Sequence, residues 1–145
     1  MSRSNRKQRS AKILFATDKI AACISAHEDI VTAFIYGSFA KGQARPESDM
    51  DVAILLSAGV QWALKARLNM ISQLEEIAGR DVQLLVLNTA DPIIKHQVFK
   101  YGQLILQKNK NFYQAFWVKS LNEYFDLKQV RKPIEQSLGA KRIYG

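Results

Sequence analysis

Apolar and polar positions alternate along this chain with two different rhythms. Short, dense apolar runs rich in β-branched and aromatic residues occur at 31–36, 52–56, 82–87 and 104–107, and each predicts a strand. Between them the apolar residues recur every three or four positions, the period of a helix. The first such stretch runs from Ser10, a candidate cap, to about His27, through Ile13, Ile20 and Ile24 with Phe15 and Ala16 beside them. A second covers 60–78, through Trp62, Leu64, Leu68, Ile71, Leu74 and Ile77, and stops at Gly79. A third begins at Asp91-Pro92, an N-cap followed by proline at the first helical position, and ends before Gly102. Its buried face is expected to use Ile93, Ile94, Val98 and the Phe99 ring, with His96 at the stripe's edge. The last runs from 109 to about 131, carries Phe112, Tyr113, Phe116, Trp117, Tyr124 and Phe125, and is expected to break at Pro133. Strands alternating with helices make this an α/β (α+β) chain, a small mixed sheet flanked by helices.

One junction departs from simple packing. The strand at 31–36 leads into Gly37-Ser38 and a polar loop, and the strand at 52–56 is preceded by Asp49-Met50-Asp51. Alternate strand residues face the same side, so Asp49 and Asp51 share a face with their Cα atoms about 6–7 Å apart. Carboxylates held that close repel unless a cation sits between them, and Mg²⁺, which takes oxygen ligands, suits the pair. Gly37 lets backbone approach a phosphate, the Ser38 hydroxyl can donate to it, and Lys41 can add a point charge. Asp81 opens the third strand, from which a carboxylate could approach the other two. Its plainer reading is a strand-edge acid paired with Arg80 or Lys95. An isolated DxD is usually a solvated turn; a glycine-serine turn and a DxD at the mouths of consecutive strands point instead to a phosphate site.

At 145 residues and 48% apolar content the chain makes one domain with a real core. We expect residues 1–9 to be a flexible basic N-terminus and 10–145 a single domain. One cysteine, Cys23, excludes an intrachain disulfide, and with two scattered histidines it makes no zinc site. No apolar run reaches the roughly 18 residues of a membrane helix, and no apolar stretch follows the basic N-terminus as in a signal peptide, so a cytoplasmic protein is expected. The net charge of +8 sits at the ends: +5 in residues 1–12 and +5 in 108–145, against −2 between them. A uniform nucleic-acid footprint is thereby disfavoured; basic ends can steer an acidic partner protein or RNA, or simply solubilise.

GSFAKG followed by SDMD resembles the GSxxxG…DxD signature of the polymerase-β-like nucleotidyltransferase superfamily. Beyond its first dozen residues the chain is similar to the minimal nucleotidyltransferases, the antitoxin partners of HEPN-domain toxins. Lys41 stands where arginine is usual, which keeps the charge but not bidentate phosphate contact. The resemblance implies Asp49, Asp51 and Asp81 as catalytic metal ligands for Mg²⁺, two ions with ATP as substrate. It implies Gly37, Ser38, Lys41 and Gly42 at the phosphates. It also implies transfer of AMP to a tyrosine of a cognate HEPN ribonuclease toxin, in a hetero-oligomer with that toxin and without nucleic acid. Two other readings stay open: an antitoxin that neutralises by binding alone, and a nucleotidyltransferase acting on a small molecule or RNA.

Overall fold

The computed structural model describes residues 17–37 and 49–144, with side chains described to 129. Helix α1 covers residues 17–25 of the described chain. It is followed by strands β1 (Ile30–Tyr36) and β2 (Met50–Leu56), helix α2 (Leu64–Ala78) and strand β3 (Val82–Val86). A single 3₁₀ turn, Leu87–Thr89, then leads to α3 (Pro92–Tyr101), β4 (Gln103–Gln107) and α4 (Lys110–Tyr144). The sheet has the order β3-β2-β1-β4. β1 pairs antiparallel with β2 and β4, and β2 pairs parallel with β3, so the sheet is mixed as expected.

Two layers cover this sheet. Even-numbered β2 residues Met50, Val52, Ile54 and Leu56 join Ile20 and Ile24 of α1 and Met70 and Leu74 of α2 in one buried cluster. Odd-numbered Ala53 and Leu55 join Phe34, Leu87 and Val98 in a second, with Phe99, Phe112, Tyr113 and Phe116 packed against it half-buried. The period-2 pattern of β2 thus divides one strand between two cores.

Several boundaries differ from the expectation. Helix α2 starts at Leu64, not Val60; Gly59 turns the chain at φ 79°, and the N-cap position, Ala63, makes no side-chain cap bond. Trp62 lies before the helix and packs on the first core, its ring 5.9 Å from that of His27. The buried line of α2 runs through Met70 and Leu74, while Leu64 and Leu68 are exposed at 70% and 54%. Arg67, exposed and three residues before Met70, donates through Nη2 to the Leu84 carbonyl at 2.6 Å. The Asp81 carbonyl points to β2, accepting from Met50 N, so by alternation the Leu84 carbonyl points to the outer border of β3.

On α3 the expected cap is present: Asp91 accepts from Ile93 N at 2.8 Å. The residues it buries are Lys95 and Val98, and Ile94 is exposed. Lys95 is neutralised by Glu123 of α4 at 2.7 Å and lies over the Phe116 ring. His96 stacks on Tyr124 at 3.8 Å, a structural contact. Helix α4 continues past Pro133 to Tyr144; a proline removes one helical hydrogen bond and bends a helix without having to end it. Just past the end of α1, Lys108 Nζ donates to the His27 carbonyl at 2.7 Å. Cys23 is a packing residue: its Sγ lies 3.7 Å from Gln73 Oε1, and burial pushes the thiol up. The Asn88 side chain extends the sheet, donating to the Leu56 carbonyl and accepting from Leu56 N. The Ser10 cap and the basic N-terminus lie outside the described residues.

Candidate active site

The acidic pair stands where two strands meet a glycine. β1 ends at Tyr36, which is the register partner of Asp51 on β2. Gly37 follows at φ 73°, a left-handed conformation that side chains resist. A Cβ built on Gly37 would run into Asp51 Oδ2, so the Asp51 carboxylate lies directly over the glycine backbone. Any other residue at 37 would have to displace it. Asp51 is half-buried and Asp49 is exposed at the strand mouth. Burial raises the Asp51 carboxyl above its usual range, and the neighbouring Asp49 charge adds to the rise. The Tyr36 hydroxyl is raised likewise, first by burial and then by Asp51.

The third strand adds a glutamine to the site. In the parallel ladder Met50 faces Val82 and Asp51 faces Gln83. Gln83 has the face parity of Asp49 and Asp51, and its Nε2 donates to Asp49 Oδ2 at 3.2 Å. Asp81 lies one residue before β3, exposed, with its carbonyl accepting from Met50 N at 2.9 Å. Carried back one residue, the same register sets Asp81 opposite Asp49 on that face, although among the described residues no three acidic, histidine or cysteine side chains gather as a metal-holding group. Lys95, named as a plainer partner for Asp81, is bonded to Glu123 instead. Ser38, Lys41 and Gly42 lie outside the described residues. Tyr36 and Gln83 are the neighbours that sequence reasoning missed; a lone glutamine between apolar residues in VQLLV was the available signal for the second.

The pair fits a hard divalent cation. Both donors are carboxylate oxygens on one strand face, one is open to solvent, and their repulsion already disfavours the second charge. A cation between them would reverse that repulsion, and magnesium accepts such an all-oxygen set while sharing its remaining positions with phosphate.

Paired carboxylates at the mouth of a strand, one laid over a left-handed glycine, suit metal-assisted chemistry on nucleoside phosphates. The comparison with known proteins narrows this: residues 18–111 match the polymerase beta nucleotidyltransferase domain, and the chain belongs to that family. A Methanocaldococcus jannaschii protein, provisionally named a protein adenylyltransferase, is 30% identical over 66 residues, covering 46% of this chain and 69% of the relative. The fold is shared with a chain of a toxin–antitoxin complex solved with AMP-PNP, at a TM-score of 0.73 and 23% identity, over 84% of this chain and 97% of that one. It is also shared with a chain of the complex between a tri-AMPylated Shewanella oneidensis HEPN toxin and its MNT antitoxin. There the TM-score is 0.70 at 20% identity, over 87% of this chain and 98% of that one. Among the described residues no helix is long and apolar enough to cross a membrane.

Proposed function

We propose that the chain is a magnesium-dependent antitoxin adenylyltransferase that moves AMP from ATP to a tyrosine hydroxyl of a cognate HEPN toxin in the cytoplasm. The observation that carries this reading is the Asp49–Asp51 pair, held on one face of β2 with Asp51 laid over Gly37, in a chain of nucleotidyltransferase family. The relatives' chemistry supports the acceptor class: one is named for protein adenylylation and another lies in a complex with an AMPylated toxin.

Asp49 and Asp51 hold the magnesium, which when bound neutralises phosphate charge and favours an ionised attacking oxygen. Gly37 keeps the backbone low enough for the triphosphate, and Ser38, Lys41 and Gly42 take its β- and γ-phosphates. The acceptor oxygen forms a bond to the α-phosphorus. The bond from that phosphorus to the bridging oxygen breaks, pyrophosphate leaves with the electron pair, and the hydroxyl proton is lost to solvent at the exposed mouth beside Asp49. Tyr36, pressed against Asp51, keeps its own hydroxyl protonated and holds the inner side of the pair dry.

The acceptor must come from another molecule. Trp117, Val118 and Phe125 of α4 are exposed large apolar residues suited to meeting it. The same feature favours a second reading, neutralisation by binding alone. Incubation with labelled ATP, Mg²⁺ and the adjacent-gene HEPN protein tests both. Added mass in AMP units on a toxin tyrosine, lost in an Asp49→Ala, Asp51→Ala double variant, is the expected result. Protection of cells by that double variant without any mass shift identifies the binder.

A further inference from the structure

We propose that a cavity at the far end of β2 from the acidic pair is a binding site for a small aromatic monocarboxylate, held by Arg67 at its charge and by Trp62 at its ring. The inference does not rest on the transferase reading: a chain that moved no AMP would still bind such a ligand.

Position is the first argument. The cavity has a volume of about 370 Å³ and lies where the ends of β2 and β3, at Leu56 and Val86, meet the segment before α2. Pockets for small ligands begin at about 300 Å³. Leu56 stands at the other end of β2 from Asp51, roughly 17 Å away by strand rise, and by alternation on the other face. A ligand in the cavity therefore leaves the acidic mouth free.

The shape of the wall is the second. Leu56 belongs to the first core, and Val60, Trp62 and Val86 pack against it half-buried. Trp62 precedes α2 and is not covered by it. A half-buried indole beside aliphatic side chains suits a flat ring, which stacks at its face or meets its edge.

Charge is the third. Among the described residues that line the cavity, Arg67 is the one ionised group. Its guanidinium uses one N–H bond, Nη2 to the Leu84 carbonyl, and among the described residues no carboxylate pairs with it. Five N–H donors in a planar fork leave enough to take a carboxylate by two of them. Asn88 is committed elsewhere, both ends of its amide being bonded to the Leu56 backbone, so it stiffens the wall. A lone cation matches a single negative charge, which favours a carboxylate over a doubly charged phosphate ester. An extended peptide is disfavoured as the occupant, because Arg67 already covers the Leu84 oxygen on the border of β3 where such a strand would add.

The test is titration of the full-length, nucleotide-free protein with indole-3-acetate, read by calorimetry and by the ¹H–¹⁵N signals of its two tryptophan indoles. The expected result is one ligand per chain, a Kd of about 1 mM or below, and movement of the Trp62 signal without that of Trp117. The neutral indole-3-acetamide binds about tenfold more weakly, the scale of losing a charge-assisted hydrogen bond; this comparison needs no change to the protein. Arg67→Gln weakens the carboxylate by a similar factor, Arg67→Lys binds it more tightly than Arg67→Gln does, and Trp62→Leu weakens acid and amide alike by about fivefold. The proposal is overturned if the Trp62 signal stays still at about 10 mM ligand, or if acid and amide bind equally. It is overturned equally if phenyl phosphate binds more tightly than the carboxylate, or if ATP with Mg²⁺ displaces the ligand. None of these readouts involves AMP transfer, so each failure leaves the transferase reading where it stood.

Discussion

The two faces of the sheet are built to different standards of closure. Under α1 and α2 the face is aliphatic and sealed: Ile20, Ile24, Val52, Ile54, Met70 and Leu74 are all at 1% exposure or less. Under α3 and α4 the fully buried set is smaller, aromatic rings fill the margin half-exposed, and one end is given over to Tyr36, Asp51, Asp49 and Gln83. Strand β2 serves both, its even residues sealed and its odd residues running from Leu55 to the carboxylates. The difference teaches where chemistry can sit in so small a domain. A dry, aliphatic face supplies stability that the other face need not, so the second can leave charge and open edge at the strand mouth.

The comparison can be broken from either side. The largest effect belongs to the open face: Asp49→Asn or Asp51→Asn should lower AMP transfer on the order of a thousandfold, the scale for losing a group that stabilises developing charge. A steady-state assay with the toxin checks this, and an ordinary rate in either variant would remove the pair from catalysis. On the sealed face, Leu74→Ala should cost about 2–5 kcal/mol by denaturant unfolding with transfer little changed in the molecules that stay folded. A loss under 1 kcal/mol would mean that this face is not the stability source.

The link between α3 and α4 should matter less. Glu123→Gln leaves the buried Lys95 ammonium without its counter-charge, but the glutamate end is 38% exposed, so about 1 kcal/mol is expected rather than the full cost of breaking a buried pair. Urea titration reads it, and an unchanged midpoint shows the ion pair to be incidental.

Smallest is a gain. The Asp51 carboxyl is raised from 3.8 in the folded protein, so between that value and the raised one the native state binds more protons than the unfolded chain. Stability therefore falls as pH rises through that window. Asp51→Asn removes this loss, and the metal-free variant should melt above the wild type at neutral pH, with the difference closing below the window. Equal melting at neutral pH would show that the site stores no such repulsion.

Much of this was legible beforehand where local chemistry is unambiguous. β1 and β2 are dense β-branched runs, Asp91-Pro92 starts α3 as a cap with proline at its first helical position should, and two aspartates two residues apart on a strand must share a face. What could not be read was relational. The buried line of α2 passes through Met70 and Leu74 rather than Leu64 and Leu68, a choice made by what the helix packs against and not by its own period. Lys95 could be assigned to Asp81 until Glu123, on another helix, is known to lie beside it. The pairing of Asp51 with Gln83 depends on the offset between two parallel strands, which neither strand's own sequence states. Pro133 has a local rule, but continuation of α4 outweighs it.

Arg67 carries one last consequence. A sheet that stops at β3 offers a row of unsatisfied main-chain groups, the template on which stray peptides add and fibres grow. With its guanidinium seated on the Leu84 oxygen, the middle of that row is already occupied by a bulky cation. That border of the sheet is thereby partly covered against a second copy, while the strand mouths that carry Asp49 and Asp51 stay open.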